Sequence, residues 1–212
     1  MLMQSLNVRD QTLALLPERA LHWRERDCLV VADLRIATPN SAQDPIAAVD
    51  ELEGDLARLD EALRTTQSRQ LVVLGDLIPP NTMPSLDAID RFAAWRVATR
   101  AEIVLVRSHE APVQRDFVTS FHIQSVALPL EWGPLLLAAA PALSRDAYTL
   151  SGALAPVIDV VDENVSRTLP CFHFGPRIGL LPAFSKAARS TRMYREEPDR
   201  VFTIDGPHVD PF

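Results

Sequence analysis

Three short apolar stretches indicate the fold class of this chain: CLVVAD at Cys28–Asp33, LVVLGD at Leu71–Asp76 and IVLV at Ile103–Val106. Runs of this length, rich in β-branched residues, are typical of strands that are buried on both faces. Helical patterns separate them, at Pro45–Gln67 and at Pro84–Thr99. Strands that alternate with helices in this way form parallel β-α-β units.

The apolar positions of the two helices predict which face of each packs on the sheet. Their spacing of three and four residues marks one stripe per helix. In the first helix the stripe is Val49, Leu52, Leu56, Leu59 and Leu63. In the second it is Leu86, Ile89, Ala93 and Val97.

The second half of the chain has a different pattern, with short β-like runs separated by turns. These runs are Phe121–Leu128, Leu135–Ala140, Ala147–Leu150, Val157–Val161, Leu169–Phe174 and Val201–Ile204. They predict a second sheet that contains antiparallel pairs. Because no linker is long enough to separate two domains, we expect one domain over residues 1–212.

Composition excludes several classes of function. The 212 residues carry 21 Lys+Arg against 28 Asp+Glu, and the net charge of −7 opposes extensive nonspecific binding to nucleic acid. The longest uncharged apolar run, at Pro134–Leu143, is about half the length of a bilayer-spanning helix, which argues against membrane insertion. Two cysteines, Cys28 and Cys171, are interpreted as buried, reduced thiols, and we expect a cytoplasmic protein.

The carboxyl ends of the predicted parallel strands indicate where a ligand-binding site lies. Ligands of parallel sheets bind beyond the carboxyl ends of the strands. Asp33, Asp76 and His109 all follow predicted strands, so we expect one crevice to collect them.

Five motifs in order resemble a known family. They are ADLR with Asp33, VVLGD with Asp76, VLVRSHE with His109 and Glu110, LSGALAP with Gly152, and LPCFHFGPRIGLLPAF at residues 169–184. Together they resemble the calcineurin-like metallophosphoesterases, and specifically the ligase-associated DNA damage response endonucleases. The resemblance extends from residue 15 to residue 206. It implies an α/β sandwich of two mixed β-sheets flanked by α-helices.

The same resemblance implies a chemistry that needs two divalent cations. In the family they generate a hydroxide nucleophile and stabilise charge on the phosphoryl oxygens, while a histidine assists the leaving group. Two ligand positions match here, Asp33 and Asp76.

The other ligand positions depart from the family's pattern. Arg35 stands where the first motif has a histidine, and Ser108 stands where the third has an asparagine. Ala153 and Ala155 follow Gly152 where the last motif has two histidines, and no histidine lies near Ala139 or Ala140.

By the family's pattern five of seven ligands are therefore missing, and we expect no metal cofactor and no catalysis. His109 is then a vestige of a catalytic site. Arg35 is interpreted as a substitute for the metal charge, and we expect it to contact Asp33 or Asp76 directly. The predicted role is that of a binding or scaffold protein, with DNA-repair proteins as partners by family association. Nothing in the sequence indicates the oligomeric state.

Two alternatives stay open. One is a weak or altered metal-dependent phosphoesterase or nuclease that uses Asp33, Asp76, His109 and Glu110, with manganese or another divalent metal at reduced occupancy. The other is a nucleic-acid accessory protein with a basic stripe formed by Lys186, Arg189, Arg192 and Arg195. The competing interpretation of the stripe is a solvated face balanced by Glu196, Glu197 and Asp199. His173 alternates with Phe172 and Phe174 and is expected on the surface.

Overall fold

Two mixed β-sheets and three α-helices form the part of the chain that the computed structural model describes, residues 4–36, 44–108, 112–162, 165–186 and 190–212. The helices are α1 Pro45–Thr66, α2 Leu86–Ala98 and α3 Pro112–Ser120. The strands of the first sheet are β1 Gln4–Val8, β2 Gln11–Leu16, β3 Ala20–Trp23, β4 Cys28–Ala32, β5 Gln70–Leu74, β6 Glu102–Val106 and β7 Gln124–Val126. Those of the second are β8 Leu130–Trp132, β9 Leu135–Ala138, β10 Tyr148–Ser151, β11 Pro156–Asp162, β12 Val165–Phe174, β13 Ile178–Leu180, β14 Thr191–Arg192, β15 Arg200–Asp205 and β16 His208–Pro211.

The first sheet keeps its seven strands in sequence order. Strands β1 to β4 pair antiparallel, and β4 to β7 pair parallel. The second sheet has the order β14-β11-β12-β13-β10-β9-β8, with β15 on β12 and β16 on β15. Its β9, β10 and β13 are parallel neighbours, whereas β12 is antiparallel to β11, β13 and β15. The predicted class, two mixed sheets with helices, is confirmed.

The two faces of the parallel strands belong to two different hydrophobic cores. In β5, Leu71 and Val73 face the helices, while Val72 and Leu74 face the second sheet. The inter-sheet core includes Phe172 from the second sheet. All three helices described contribute side chains to the core on the outer face of the first sheet. The layers are therefore helices, first sheet and second sheet.

The stripe of α1 is confirmed, but that of α2 is wrong at both ends. Leu86 and Val97 are 79% and 89% exposed. The buried residues are instead Ala88, Phe92 and Trp95. Phe92 packs on the rings of two aromatic side chains of the neighbouring α3 region, at 5.1 and 5.2 Å between centroids. Burial of the large aromatic side chains stabilises the fold more than burial of Leu86 and Val97 would. The buried face of α2 is therefore rotated from the predicted one.

The predicted run Phe121–Leu128 contains only the short strand β7, and β7 belongs to the first sheet, parallel to β6. Helix α3, which the sequence patterns did not predict, makes the crossover between them. Among the described helices, none combines the length and the apolar composition that a membrane-spanning segment requires. The single domain over residues 1–212 stays a prediction.

Candidate functional site at the strand ends

The carboxyl ends of β4, β5 and β6 form a crevice that holds two acidic side chains. Asp33 follows β4, and its backbone N–H donates to Leu74 O of β5 at 2.9 Å. An equivalent hydrogen bond links β5 to β6: Gly75, the residue after β5, donates its N–H to Val106 O at 2.9 Å. These bonds place Asp33 and Asp76 at neighbouring strand ends, as expected from a parallel sheet.

Asp33 is buried and tightly enclosed. Its side chain is only 5% exposed, and its own backbone has a φ of 51°. Gly75 has a φ of +109°, and a Cβ built there would lie 2.7 Å from Asp33 Oδ1. The carboxylate therefore occupies the space that a side chain at position 75 would need.

Burial raises the pKa of Asp33. The charge of Arg35 and a hydrogen bond from the Ala153 backbone lower that pKa, while the Asp76 charge raises it. Burial is the largest of these effects, so protonation of Asp33 is easier in the folded chain than in a solvated peptide.

Ser108 and Gln114 donate hydrogen bonds to the Asp76 carboxylate. Ser108 Oγ donates to Asp76 Oδ2 at 2.6 Å, and Gln114 Nε2 reaches Oδ1 at 3.5 Å. Gln114 is 1% exposed, and its Oε1 accepts from the backbone N–H groups of Leu77 and Ile78 at 3.1 and 3.0 Å. Gln114 thus fixes the loop that follows Asp76.

Gln114 is not among the site residues predicted from the sequence. The signal that could have found it is the spacing of three and four to Phe117 and Val118, which puts all three on the buried face of α3.

The predicted contact of Arg35 with the acids is wrong. Among the described residues, Arg35 makes no hydrogen bond or ion pair with Asp33 or Asp76, and its buried Nε has no hydrogen-bond partner. The prediction assumed that the strand continues through Arg35. The positive φ of Asp33 ends the extended conformation, so the two side chains no longer share one face. Arg35 acts on Asp33 only through its charge.

The segment after β10 reaches the same crevice. A Cβ at Gly152 would lie 2.9 Å from Leu74 O, so only glycine fits against the end of β5. Ala153 and Ala155 follow with φ values of 67° and 45°, which are unusual for residues with a side chain. The backbone shape of this loop is thus retained while its two side chains are methyl groups.

The family-like segment at residues 169–184 ends beside Asp33. Ala183 bridges Ala32 in parallel, and Phe184 N donates to Ala32 O at 2.7 Å. The next residue, Ser185, receives a bond from Arg35 N at 3.2 Å and donates to Asp55 Oδ2 at 2.5 Å. This buried serine ties the Arg35 backbone to helix α1.

Arg58 completes that buried network. It pairs with Asp55 at 2.8 Å, and its guanidinium lies 4.4 Å from the centroid of the Phe184 ring. The end of the family-like segment is therefore explained by packing on α1.

Two other predictions of side-chain location have different outcomes. His173 is not a surface residue: it is 8% exposed, because β12 lies inside the second sheet between β13 and β15. Its Nε2 lies 3.2 Å from Asp199 Oδ2 but lacks the alignment of a hydrogen bond. Cys28 and Cys171 are free and buried as predicted, and burial raises the pKa of each thiol to about 12.

Two described arginines of the basic stripe contact other residues of the same chain. Arg192 Nε pairs with Asp159 at 3.2 Å, and Arg195 donates to Phe212 O at 2.7 Å. Lys186 is exposed, and Arg189 lies outside the described residues. Arg195 also lies 3.6 Å from Glu197, one of the acids expected to balance the stripe.

The described donor set does not fit a dinuclear metal centre. In the described ranges no three His, Cys, Asp or Glu side chains are grouped so that they could hold a metal ion. Asp33 and Asp76 are the carboxylates present at the crevice, and His109 and Glu110 lie outside the described residues. Dinuclear hydrolytic sites need three or more protein ligands for each ion.

The two mixed sheets with helices, and the crevice at the ends of the parallel strands, agree with the resemblance to the calcineurin-like metallophosphoesterases. The crystal structure of the Pseudomonas putida nuclease MPE superposes with a TM-score of 0.80 and 26% identity, and the similarity covers 100% of both chains. This similarity confirms the resemblance inferred from the sequence and the fold class.

A second solved structure, the phosphoesterase YfcE from E. coli, is much less similar. Its TM-score is 0.38 at 13% identity, over 84% of this chain and 87% of that one. No family model and no curated protein matches the sequence.

Proposed function

We propose that this protein is a catalytically inactive relative of the metallophosphoesterases that acts as a binding or scaffold protein in the cytoplasm. The donor set of the crevice supports the proposal most directly. Positions that would supply nitrogen ligands by the family's pattern carry the Arg35 guanidinium and the methyl groups of Ala153 and Ala155. A guanidinium stays protonated and repels a cation, and a methyl group cannot ligate one.

The contacts of the two carboxylates support the same proposal. Asp76 accepts from Ser108 at 2.6 Å, so a hydroxyl takes part of the role that a metal has in an active enzyme. The Ala153 backbone N–H lowers the pKa of Asp33 and so favours the charged form of that carboxyl. With polar groups beside both carboxylates, the crevice does not depend on a metal to remain folded.

A link to DNA repair forms part of the proposal through the similarity to a nuclease. The DNA-related subgroup motifs and the full-length similarity to the nuclease MPE support it. We infer that the partners are proteins of that process.

One observation favours a second candidate, a weak metal-dependent phosphoesterase. Asp33 and Asp76 remain close enough for the charge of one to raise the pKa of the other. Two such carboxylates, with His109 as a further group, could hold one manganese ion at reduced occupancy and polarise a phosphodiester.

Hydrolysis of bis(p-nitrophenyl) phosphate with added Mn²⁺ separates the two candidates. The comparison is between the parent chain and Asp76→Asn, which keeps the size of the side chain and removes its charge. We expect equal rates, because neither chain assembles a metal-bound nucleophile. A parent rate about tenfold above that of Asp76→Asn would establish the phosphoesterase instead.

A further inference from the structure

A second concave surface lies at the amino ends of the parallel strands, opposite the crevice. This groove has a volume of about 1010 Å³ and includes the first residues of β5 and β6. Four arginines contribute to its wall: Arg26, Arg64, Arg69 and Arg100. We call it the arginine groove. Two acids, Asp27 and Glu102, also line it, so its lining has a formal charge of +2 in a chain of net charge −7.

Three of these guanidinium groups form no hydrogen bond or ion pair within the described chain. Arg64 pairs with Glu61 at 2.6 Å. The side chains of Arg26, Arg69 and Arg100 are exposed and have no hydrogen bond or ion pair with any residue in the described ranges. Solvated arginines in one groove repel one another, so an anion that enters it gains from all of them.

Arg26 is held in place although it is exposed. Its guanidinium carbon lies 5.7 Å from the centroid of the Trp23 ring and 5.8 Å from that of Trp132. Cation–π contacts at these distances restrain the guanidinium. Arg26 is therefore an exposed cation of the groove lining that two indole rings help to hold in place.

Helix ends explain only part of this arginine cluster. Helices α1 and α2 both end at the groove, and their carbonyl ends attract the positive charges of Arg64 and Arg100. Arg26 and Arg69 lie outside both helices, in the connections that lead into β4 and β5. Their positions call for another explanation.

The charge distribution selects the kind of ligand. Double-stranded DNA carries about one charge per 1.7 Å, a single strand about half of that, and either would extend beyond the groove over a surface that is acidic overall. A short acidic peptide can end within the groove, where guanidinium groups bind carboxylates through paired hydrogen bonds. We propose that the arginine groove binds a short acidic peptide segment of a partner protein.

This inference gives the proposed binding role a surface and rests on that role. Its test is nevertheless separate, because the groove and the crevice lie at opposite ends of the sheet. A chain that cleaves phosphodiesters would refute the proposed inactivity without affecting the groove. A chain that fails to bind acidic peptides would refute the groove without affecting the crevice.

Fluorescence anisotropy with a labelled oligoglutamate peptide at low salt tests the proposal. The groove variant is Arg69→Glu with Arg100→Glu, and the matched control is Arg192→Glu with Arg195→Glu, which changes the net charge equally. We expect about a tenfold loss of affinity in the groove variant and less than about a twofold loss in the control. If the reversals prevent folding, as judged by circular dichroism, Arg69→Gln with Arg100→Gln replaces the groove variant.

Four results would overturn the proposal. Two concern the peptide itself: the parent does not bind oligoglutamate, or the groove and control variants lose affinity equally. The other two concern competing ligands: a single-stranded oligonucleotide binds more tightly than the peptide, or inorganic phosphate at the same concentration of charge displaces the peptide. The oligonucleotide result would assign the groove to nucleic acid, and the phosphate result would assign it to a small anion.

Discussion

Replacing Gly75 by alanine tests the enclosure of Asp33, on which the geometry of the crevice depends. The φ of +109° costs a residue with a side chain about 1–3 kcal/mol. The new Cβ would lie 2.7 Å from Asp33 Oδ1, so the carboxylate must move. Displacing this buried carboxylate adds about 1–3 kcal/mol, because its oxygens lose their polar surroundings. We expect Gly75→Ala to lower the free energy of unfolding by about 2–6 kcal/mol.

Two other glycines provide matched controls for urea denaturation. Gly206 has a φ of +57°, and a Cβ added there would meet no atom within 4 Å, so Gly206→Ala should cost only about 1–2 kcal/mol of backbone strain. Gly54 lies inside α1 with equally open space, and Gly54→Ala should stabilise the chain by about 0.5–1 kcal/mol. If Gly75→Ala cost no more than Gly206→Ala, the carboxylate of Asp33 would not fill the space beside Gly75, and the described crevice would be wrong.

Two further predictions concern buried carboxylates. Because burial raises the pKa of Asp33, the folded chain binds that proton more tightly than the unfolded chain, and stability falls as pH rises through the raised pKa. Asp33→Asn should therefore increase the free energy of unfolding at neutral pH, and this gain should vanish in acid; a loss of stability at neutral pH would show that the charge is needed there. Asp55→Ala leaves Arg58 unpaired and removes the acceptor of Ser185, at a cost of about 3–5 kcal/mol. Glu61→Ala, which removes an exposed pair with Arg64, should change the thermal midpoint little, and equal effects would contradict a structural role for the Asp55 network.

The parallel strands could be predicted from the sequence, because a strand that is buried on both faces appears as a continuous run of apolar residues. Apart from the polar first residues of β5 and β6, strands β4, β5 and β6 are continuous apolar runs. Their order and direction then follow from the helices between them, and so does the placement of Asp33 and Asp76 at one edge.

The remaining features depend on tertiary contacts that periodicity does not record. The face of α2 is chosen by the aromatic packing of Phe92, not by its aliphatic spacing. His173 is buried because strands flank β12 on both sides, whereas alternation alone places it on an open face. Arg35 misses the acids because a single positive φ at Asp33 redirects the chain. Each error comes from extending a local pattern past the residue where long-range contacts take over.

Metal content of the purified chain tests the proposed loss of catalysis most directly. The protein is expressed with supplementary manganese, dialysed, and analysed for manganese and iron beside Asp33→Asn with Asp76→Asn, which shows the level of adventitious metal. We predict that the parent retains no more metal than this double variant. Two tightly held ions in each parent chain, absent from the double variant, would contradict the proposal and identify the crevice as a working dinuclear centre.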